Sequence, residues 1–271
     1  MYMFTAIYRS FLRFNAWIAS GCCSLHSCIP PRQHFPRTVS MSLPAIAPAS
    51  SASPSAVRSA AASQARFWDR IAPKYAADPI ADLAGYEATL QRVQGLLSTQ
   101  QDVLEIGCGT GSTALRLAPF TRSLLATDVS PQMIAIAQQR LAAQPSPQLR
   151  FAVADAEAAT FGHGAYDAVL AFNVLHLTSD LEDALKQVVQ VLRPGGLLIS
   201  KTACLAEMNP LIPYLAVPLM RAIGKAPPVL CFGEQRLQSA MVQQGLQIVC
   251  AERHGTRGKD IRAFVVARKP G

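Results

Sequence analysis

Three short stretches of the chain carry side chains of the kind and spacing needed to hold a nucleoside. Gly107, Gly109 and Gly111 follow directly on the apolar run Val103-Leu104-Glu105-Ile106. A glycine-rich turn between a strand and a helix lets a ligand approach the backbone and offers it amide N–H groups. Asp128 closes the next apolar run, where a carboxylate can accept two hydrogen bonds from a ribose diol, each contributing about 1.5–3 kcal/mol. Asp155 closes a third run and is placed to accept the exocyclic amine of an adenine. The glycines read G-x-G-x-G, and Ser112 stands where a dinucleotide fingerprint wants its third glycine. A G-x-x-x-x-G-K-[ST] phosphate loop is absent from the sequence. The side chains that could move a proton are His176, His254, Tyr75 and Glu207. Plainer roles stay open: a hydrogen-bonded structural histidine for His176, a solvated loop residue for His254, and a water-facing carboxylate for Glu207.

The elements that must position these residues alternate between short apolar runs and helical periodicities from Arg66 onward, which is how a βαβ array with a parallel sheet reads. Strands are expected at 103–106, 123–127, 149–154, 166–172 and 197–201. Ser130 and Pro131 supply an N-cap and an N1 proline for the helix carrying Ile134, Ala137 and Leu141. Ser179 and Glu182 have capping-box spacing ahead of Leu181, Leu185, Val188 and Leu192, a helix that Pro194-Gly195-Gly196 should stop. A helix at 234–244 and two antiparallel strands at 246–250 and 263–267 complete the array. In such a sheet, ligands sit beyond the carboxyl ends of the strands where the strand order reverses, so the three acidic and glycine-rich tips point to one crevice. Two segments stand outside the array. Residues 63–97 carry Phe67, Trp68 and Tyr75, and residues 203–232 form a Pro-rich apolar insertion. The insertion is expected to be extra core packing, a substrate lid or a membrane-surface contact.

Composition narrows the partners. The 271 residues are 50% hydrophobic and 15% charged, with mean hydropathy +0.20, which provides for a thick apolar core. The formal charge of +8 is concentrated in residues 1–68, where Arg9, Arg13, Arg32, Arg37, Arg58 and Arg66 meet no acid. The remaining residues are nearly neutral and show no basic stripe with interleaved aromatics, so no nucleic-acid partner is expected. Residues 1–62 are rich in Ser, Ala, Pro and Arg, the composition of a transit peptide for a mitochondrion or chloroplast. The alternatives are translation from Met41, a cytosolic tail with a cytoplasmic protein, or a secretory signal. No apolar stretch reaches the roughly 20 residues of a membrane span. Cys108, Cys204, Cys231 and Cys250 are widely separated outside that leader, so neither a disulfide framework nor a metal site is expected.

Taken together, Val103 to Gly111, Thr127-Asp128-Val129-Ser130-Pro131-Gln132-Met133, Asp155-Ala156, Phe172 to His176 and Leu192-Arg193-Pro194-Gly195-Gly196 resemble the motifs of the class I S-adenosylmethionine-dependent methyltransferases. Phe67-Trp68-Asp69 with Tyr75 is similar to the N-terminal element that closes over the methionine end in small-molecule members, including those of quinone biosynthesis. The resemblance implies a Rossmann-like doubly wound α/β fold for residues 63–271, with a helical N-terminal cap and the insertion after strand 5. Its seven strands would be ordered 3-2-1-4-5-7-6, the last antiparallel. It implies S-adenosyl-L-methionine as cofactor, with Gly107 and Gly109 admitting the methionine part and Glu105 supporting the turn or contacting the amino acid. Asp128 would hold the ribose hydroxyls, and Val129 and Met133 would pack on the adenine. Asp155, with Ala156 beside it, would bond the adenine amine, and Asn173 would contribute near the sulfonium. Loop orientation for Glu105, core packing for Met133, a strand end for Asn173 and a helix N-terminal charge effect for Asp128 remain the alternatives.

The implied activity is in-line methyl transfer to a small, moderately hydrophobic acceptor. A protein or RNA methyltransferase is the next reading, although the N-P-P-Y-like tetrapeptide such enzymes generally use is missing at 173–176. A nicotinamide-nucleotide oxidoreductase or a non-catalytic binder represents the remaining classes.

Overall fold

The computed structural model describes residues 54–156, 161–208, 210–256 and 260–271. Helix α1 (Pro54–Ala77) and helix α2 (Leu83–Gln94) precede the sheet. The array then runs β1 (Asp102–Ile106), α3 (Ser112–Leu117), β2 (Ser123–Asp128), α4 (Pro131–Ala143), β3 (Leu149–Val153), β4 (Tyr166–Phe172), α5 (Leu181–Val191) and β5 (Leu192–Ala203). A π-helical turn (Ile212–Ala216) and helix α6 (Val217–Ala222) lead to α7 (Glu234–Gln243), β6 (Gln247–Glu252) and β7 (Arg262–Arg268). Helix α1 begins at Pro54, nine residues ahead of the expected boundary at 63, and residues 1–53 of the expected leader lie outside the described residues.

The seven strands form one sheet in the order β3-β2-β1-β4-β5-β7-β6. The five strands β1 to β5 pair in parallel, and β7 runs antiparallel to both β5 and β6. Side chains alternate between two cores, one on each face. Leu104, Ile106, Val169, Ala171, Val265 and Ala267 enter one, while Val103, Ala168, Leu170, Phe264 and Val266 enter the other. This two-sided burial is why these strands read as continuous apolar runs.

Two local expectations change. The N-cap of α5 is Asp180, whose carboxylate accepts the amide of Asp183, rather than Ser179. Asp is as good a cap as Ser and sits directly before the first buried residue, Leu181. Arg193 to Gly196 does not precede β5 as a free turn. It forms an irregular start within the strand, where Gly195, at φ +80°, donates to Lys269 O at 2.9 Å and the register with β4 shifts between Tyr166 and Ala168. Arg193 also binds Asp167 at 2.5 Å and Asp102 at 3.1 Å, tying the opening of β5 to the edges of β1 and β4.

Ser130 caps α4 as expected, its hydroxyl accepting Met133 N–H at 3.1 Å, with Pro131 at the first helical position. Gly111 begins α3 at φ +75°, and a Cβ there would lie 2.6 Å from Phe151 Cζ and 2.9 Å from Ala137 Cβ. Left-handed strain of about 1–2 kcal/mol adds to overpacking of about 1–3 kcal/mol. Gly111→Ala is therefore expected to lower the unfolding free energy by about 2–5 kcal/mol in a denaturant titration. A loss below about 1 kcal/mol would contradict this packing.

Candidate functional site

The turn after β1 and the turn after β2 are joined through one carboxylate. Asp128 accepts Gly109 N–H on Oδ2 and Ser130 N–H on Oδ1, both at 2.9 Å, and Cys108 N donates to Thr127 O at 2.8 Å. Gly107 and Gly109 have φ of +68° and +55°. At Gly107 a Cβ would fall 2.5 Å from Val174 Cγ2, so glycine is needed there for space as well as for conformation. Tyr75, on α1, lies over the same turn, its ring edge 3.8 Å from where a Gly109 Cβ would be. Trp68 stands edge-on to Tyr75 with ring centroids 6.3 Å apart.

These groups bound a cavity of about 830 Å³, within the range of ligand sites in proteins. Glu105, Gly107, Gly109 and Tyr75 line it at the β1 tip. Asp128, Val129 and Met133 line it at the β2 tip, Asp155 and Ala156 beyond β3, and Asn173 beyond β4. Every residue expected at the cofactor site is thus brought to one space. Asn173 has φ +55°, an uncommon conformation for a side chain-bearing residue and one that concentrates at functional sites. Its amide donates to Lys201 O at 2.6 Å.

The wall at the strand tips is acidic. Glu105 is only 2% exposed, and its Oε2 has no hydrogen-bond partner among the described residues. Burial, reinforced by the charge of Asp128, pushes its carboxyl up to about 8. Burial also raises Asp128, opposed by the amide bonds from Ser130 and Gly109. Arg140, a nearby cation, is already engaged with Thr110, Ser112 and Ala76 O. An electropositive ligand bearing a ribose therefore suits this wall, whereas a pyrophosphate would face carboxylates with its natural partner occupied. The cradle at Gly107, the orphaned Glu105 oxygen and the carboxylate at the β2 tip fit S-adenosylmethionine, a sulfonium carrying an adenosine and an ammonium.

The other end of the cavity was not visible as a motif. Because β7 runs against the parallel strands, its beginning reaches the crevice edge, bringing Asp260, Ile261 and Arg262 into the lining. Arg262 Nε donates to Asp260 Oδ1 at 2.8 Å, and Lys201 Nζ lies 3.7 Å from Asp260 Oδ2 and donates to Thr89 Oγ1 at 2.9 Å. Burial, with Arg262 nearby, brings Lys201 down to about 8 against the pull of Asp260 and Asp82. Asp82 also lines the cavity while capping α2 and accepting Thr256 N–H at 2.9 Å. The only sequence signal for this cluster is an antiparallel last strand entered through a polar loop.

The proton-transfer candidates separate. His176 lines the cavity but is buried, with Nδ1 3.0 Å from Thr202 Oγ1 and its carbonyl accepting Leu230 N–H at 2.8 Å. Burial holds the imidazole down at about 3, hence neutral. Glu207 lines the cavity without facing water as a free carboxylate, because it pairs with Arg253 at 2.9 Å and accepts Glu234 N–H at 2.8 Å. His254 is neither solvated nor part of the lining. It is half-buried against Phe264, with centroids 4.6 Å apart, and its nitrogens lie 3.1 Å from Thr89 Oγ1 and 2.9 Å from Glu252 Oε2.

A seven-stranded sheet with a reversed last strand and three chemically marked tips defines a nucleoside-binding α/β protein of the methyltransferase type. Comparison with known proteins agrees. Residues 103–196 match the family model described as methyltransferase domain. The chain is 37% identical over 124 residues to the iterative polyketide synthase afoE of Emericella nidulans, a match that covers 42% of the chain and 4% of that protein. It is 27% identical over 187 residues to the O-methyltransferase cnsE of Penicillium expansum, covering 68% of the chain and 64% of that protein. The solved trans-methyltransferase CalH, in complex with SAH, superimposes with TM-score 0.53 at 25% identity, covering 65% of this chain and 54% of that one. The chain spans only 3–6% of the length of the synthases that head the curated relatives. Residues 103–196 thus carry a methyltransferase domain on the fold of the class I S-adenosylmethionine-dependent methyltransferases, and these findings indicate S-adenosylmethionine as the cofactor.

Glu105 also makes a testable contribution to stability. An acid whose folded pKa is raised holds its proton after the unfolded chain has released its own, so the folded state loses stability as pH climbs from about 4.5 toward 8. Glu105→Gln removes that ionisation. The ligand-free variant is expected to show a smaller fall in unfolding free energy between those pH values than the parent. Identical pH profiles in parallel urea titrations would contradict a raised Glu105.

Proposed function

We propose that this chain transfers a methyl group from S-adenosylmethionine to a small, moderately hydrophobic acceptor. The single observation carrying the reading is that one cavity is lined both by the acidic strand tips and by the apolar side chains of Leu177, Met208, Ile212 and Ile261. Both reactants would then share one cavity. The names of the relatives, an O-methyltransferase and polyketide synthases, agree with a small-molecule acceptor.

Bound there, S-adenosylmethionine supplies an electrophilic methyl on a sulfonium. The chain's own residues bind and orient. Asp128 keeps lone pairs beyond the two spent on Gly109 and Ser130, and these take the ribose hydroxyls. Asp155 accepts the adenine amine beside Ala156, while Val129 and Met133 pack on the ring faces. Gly107 and Gly109 admit the methionine part over Glu105, with Tyr75 as cover and Asn173 at the sulfonium side. At the opposite end, Asp260 and Arg262 offer an acceptor one proton-accepting and one proton-donating group. Alignment of this kind can supply about 7–11 kcal/mol of a barrier. His176, held neutral and hydrogen-bonded to Thr202, positions the cavity wall and is a poor proton acceptor. The nearly neutral body argues against a nucleic-acid substrate, and the acidic wall argues against a nicotinamide dinucleotide.

Asp128→Ala is expected to weaken S-adenosylmethionine binding at least about 10-fold in titration calorimetry, the scale of one lost charge-assisted bond. Because the same carboxylate anchors two turns, a modest drop in unfolding midpoint should accompany it. The parent should bind S-adenosylhomocysteine and ignore nicotinamide nucleotides; a preference for the latter would end this reading. Incubating the enzyme with isotopically labelled methyl donor and fractionated metabolite extract should place label in the moderately lipophilic fraction. Label confined to protein or RNA would refute the acceptor class.

A further inference from the structure

The insertion after β5 has two unlike faces. Ile212 and Val217 point inward, each 4% exposed, and Met208 and Ile212 form part of the cavity wall. Outward stand Tyr214 at 74%, Leu215 at 58%, Leu219 at 61% and Ile223 at 56% exposure. Single exposed apolar residues are ordinary, but four large ones within ten residues make a surface patch. Their spacing keeps them together. Leu215, Leu219 and Ile223 recur every four residues, a pattern that drifts by about 40° per step around a pure α-helix. On that count the three lie within an arc of about 80°.

Charge accompanies the stripe. Between Glu207 and Glu234 the chain has no acid, while Arg221 and Lys225 are both present and exposed. Arg70 reaches over from α1 and donates to Gly224 O at 2.7 Å, placing a third cation at the end of α6. Among the described residues no helix is long and apolar enough to cross a membrane.

We propose that this stripe, with Arg70, Arg221 and Lys225 beside it, seats the enzyme on an anionic lipid surface with α6 lying in the interface. Large apolar side chains exposed along a short helical segment, with a tyrosine and cations alongside, are the composition of an interfacial helix. The cations meet lipid headgroups and the leucines meet the acyl boundary. The inference rests on the preceding reading in one respect: a hydrophobic acceptor could then reach the cavity from the bilayer past Met208 and Ile212.

The test uses the full chain and needs no methyl transfer. In flotation assays the protein is expected to bind phosphatidylcholine vesicles containing phosphatidylglycerol, to bind pure phosphatidylcholine less, and to be released by high salt. The double variant Leu215→Glu, Leu219→Glu should bind at least tenfold less while S-adenosylmethionine affinity by calorimetry is unchanged. A second pair, Arg221→Glu with Lys225→Glu, should abolish the preference for anionic vesicles and tests the same surface if the first fails to fold. Absence of binding by the parent would overturn the proposal. So would vesicle binding that survives both double variants, which would assign it to another part of the chain. A parent dimer in sedimentation that Leu215→Glu with Leu219→Glu dissolves would overturn it too, making a second copy the occupant. Loss of S-adenosylmethionine binding by the parent would refute the proposed function and leave the vesicle result standing.

Discussion

The geometry of the site depends on the Asp128 carboxylate. One of its oxygens fixes the amide of Gly109 and the other fixes the amide of Ser130. The first bond sets the glycine turn leaving β1, and the second sets the start of α4. Those turns belong to different βα units, and parallel pairing of β1 with β2 brings them together only at their carboxyl ends. Without a shared acceptor, each turn would have orphan amides at the edge of a cavity, where an unmade bond is expensive. With it, two turns become one floor, and the carboxylate, which lines the cavity, keeps lone pairs beyond the two it spends on those amides.

That arrangement has an electrostatic consequence. Glu105 lies under the same turn, buried, with one oxygen unpaired and with Asp128 close enough to raise its pKa. Two acids this close cannot both ionise without mutual repulsion, which is why burial and the neighbouring charge hold the Glu105 proton. A ligand carrying positive charge relieves this in a way no anionic nucleotide can. The two carboxyls at these strand tips therefore suit an adenosyl sulfonium better than a dinucleotide. Asn173, held at positive φ beside Gly107 through Val174, is a second strained feature of the same floor.

Most of this floor was legible because its residues sit at strand tips, where apolar runs stop abruptly at Gly or Asp. The burial of both faces of β1 and β4 made those stops sharp. The capping residue of α5 was harder to place, since Ser179 and Asp180 are both good caps and only backbone geometry chooses between them. The acceptor end was not legible. Asp260 and Arg262 enter the cavity because β7 reverses direction, so the beginning of that strand meets the ends of the others. Reading 260–262 as part of the site requires knowing the sheet order first. His254 shows the complementary difficulty: a histidine in a polar loop reads as solvated, yet packing on Phe264 and bonds to Thr89 and Glu252 draw it inward.

The cover over this floor is held differently from the floor itself. Asp69 of α1 accepts Ser130 Oγ at 2.6 Å and Gln132 N at 3.0 Å, so it shares the N-terminus of α4 with Asp128. A helix N-terminus attracts negative charge, and here it draws one carboxylate from inside the site and one from the covering helix. The same helix places Trp68 and Tyr75 in the cavity lining and reaches the insertion through Arg70. Gln64 bonds Leu177 O at the mouth of the α5 unit. The cover thus rests on these polar contacts and on the buried Phe67 and Ala72 of one helix, while the floor rests on a sheet with two cores. Moving α1 aside would uncover those two side chains and break the polar contacts, whereas opening the site from below would unpair strands.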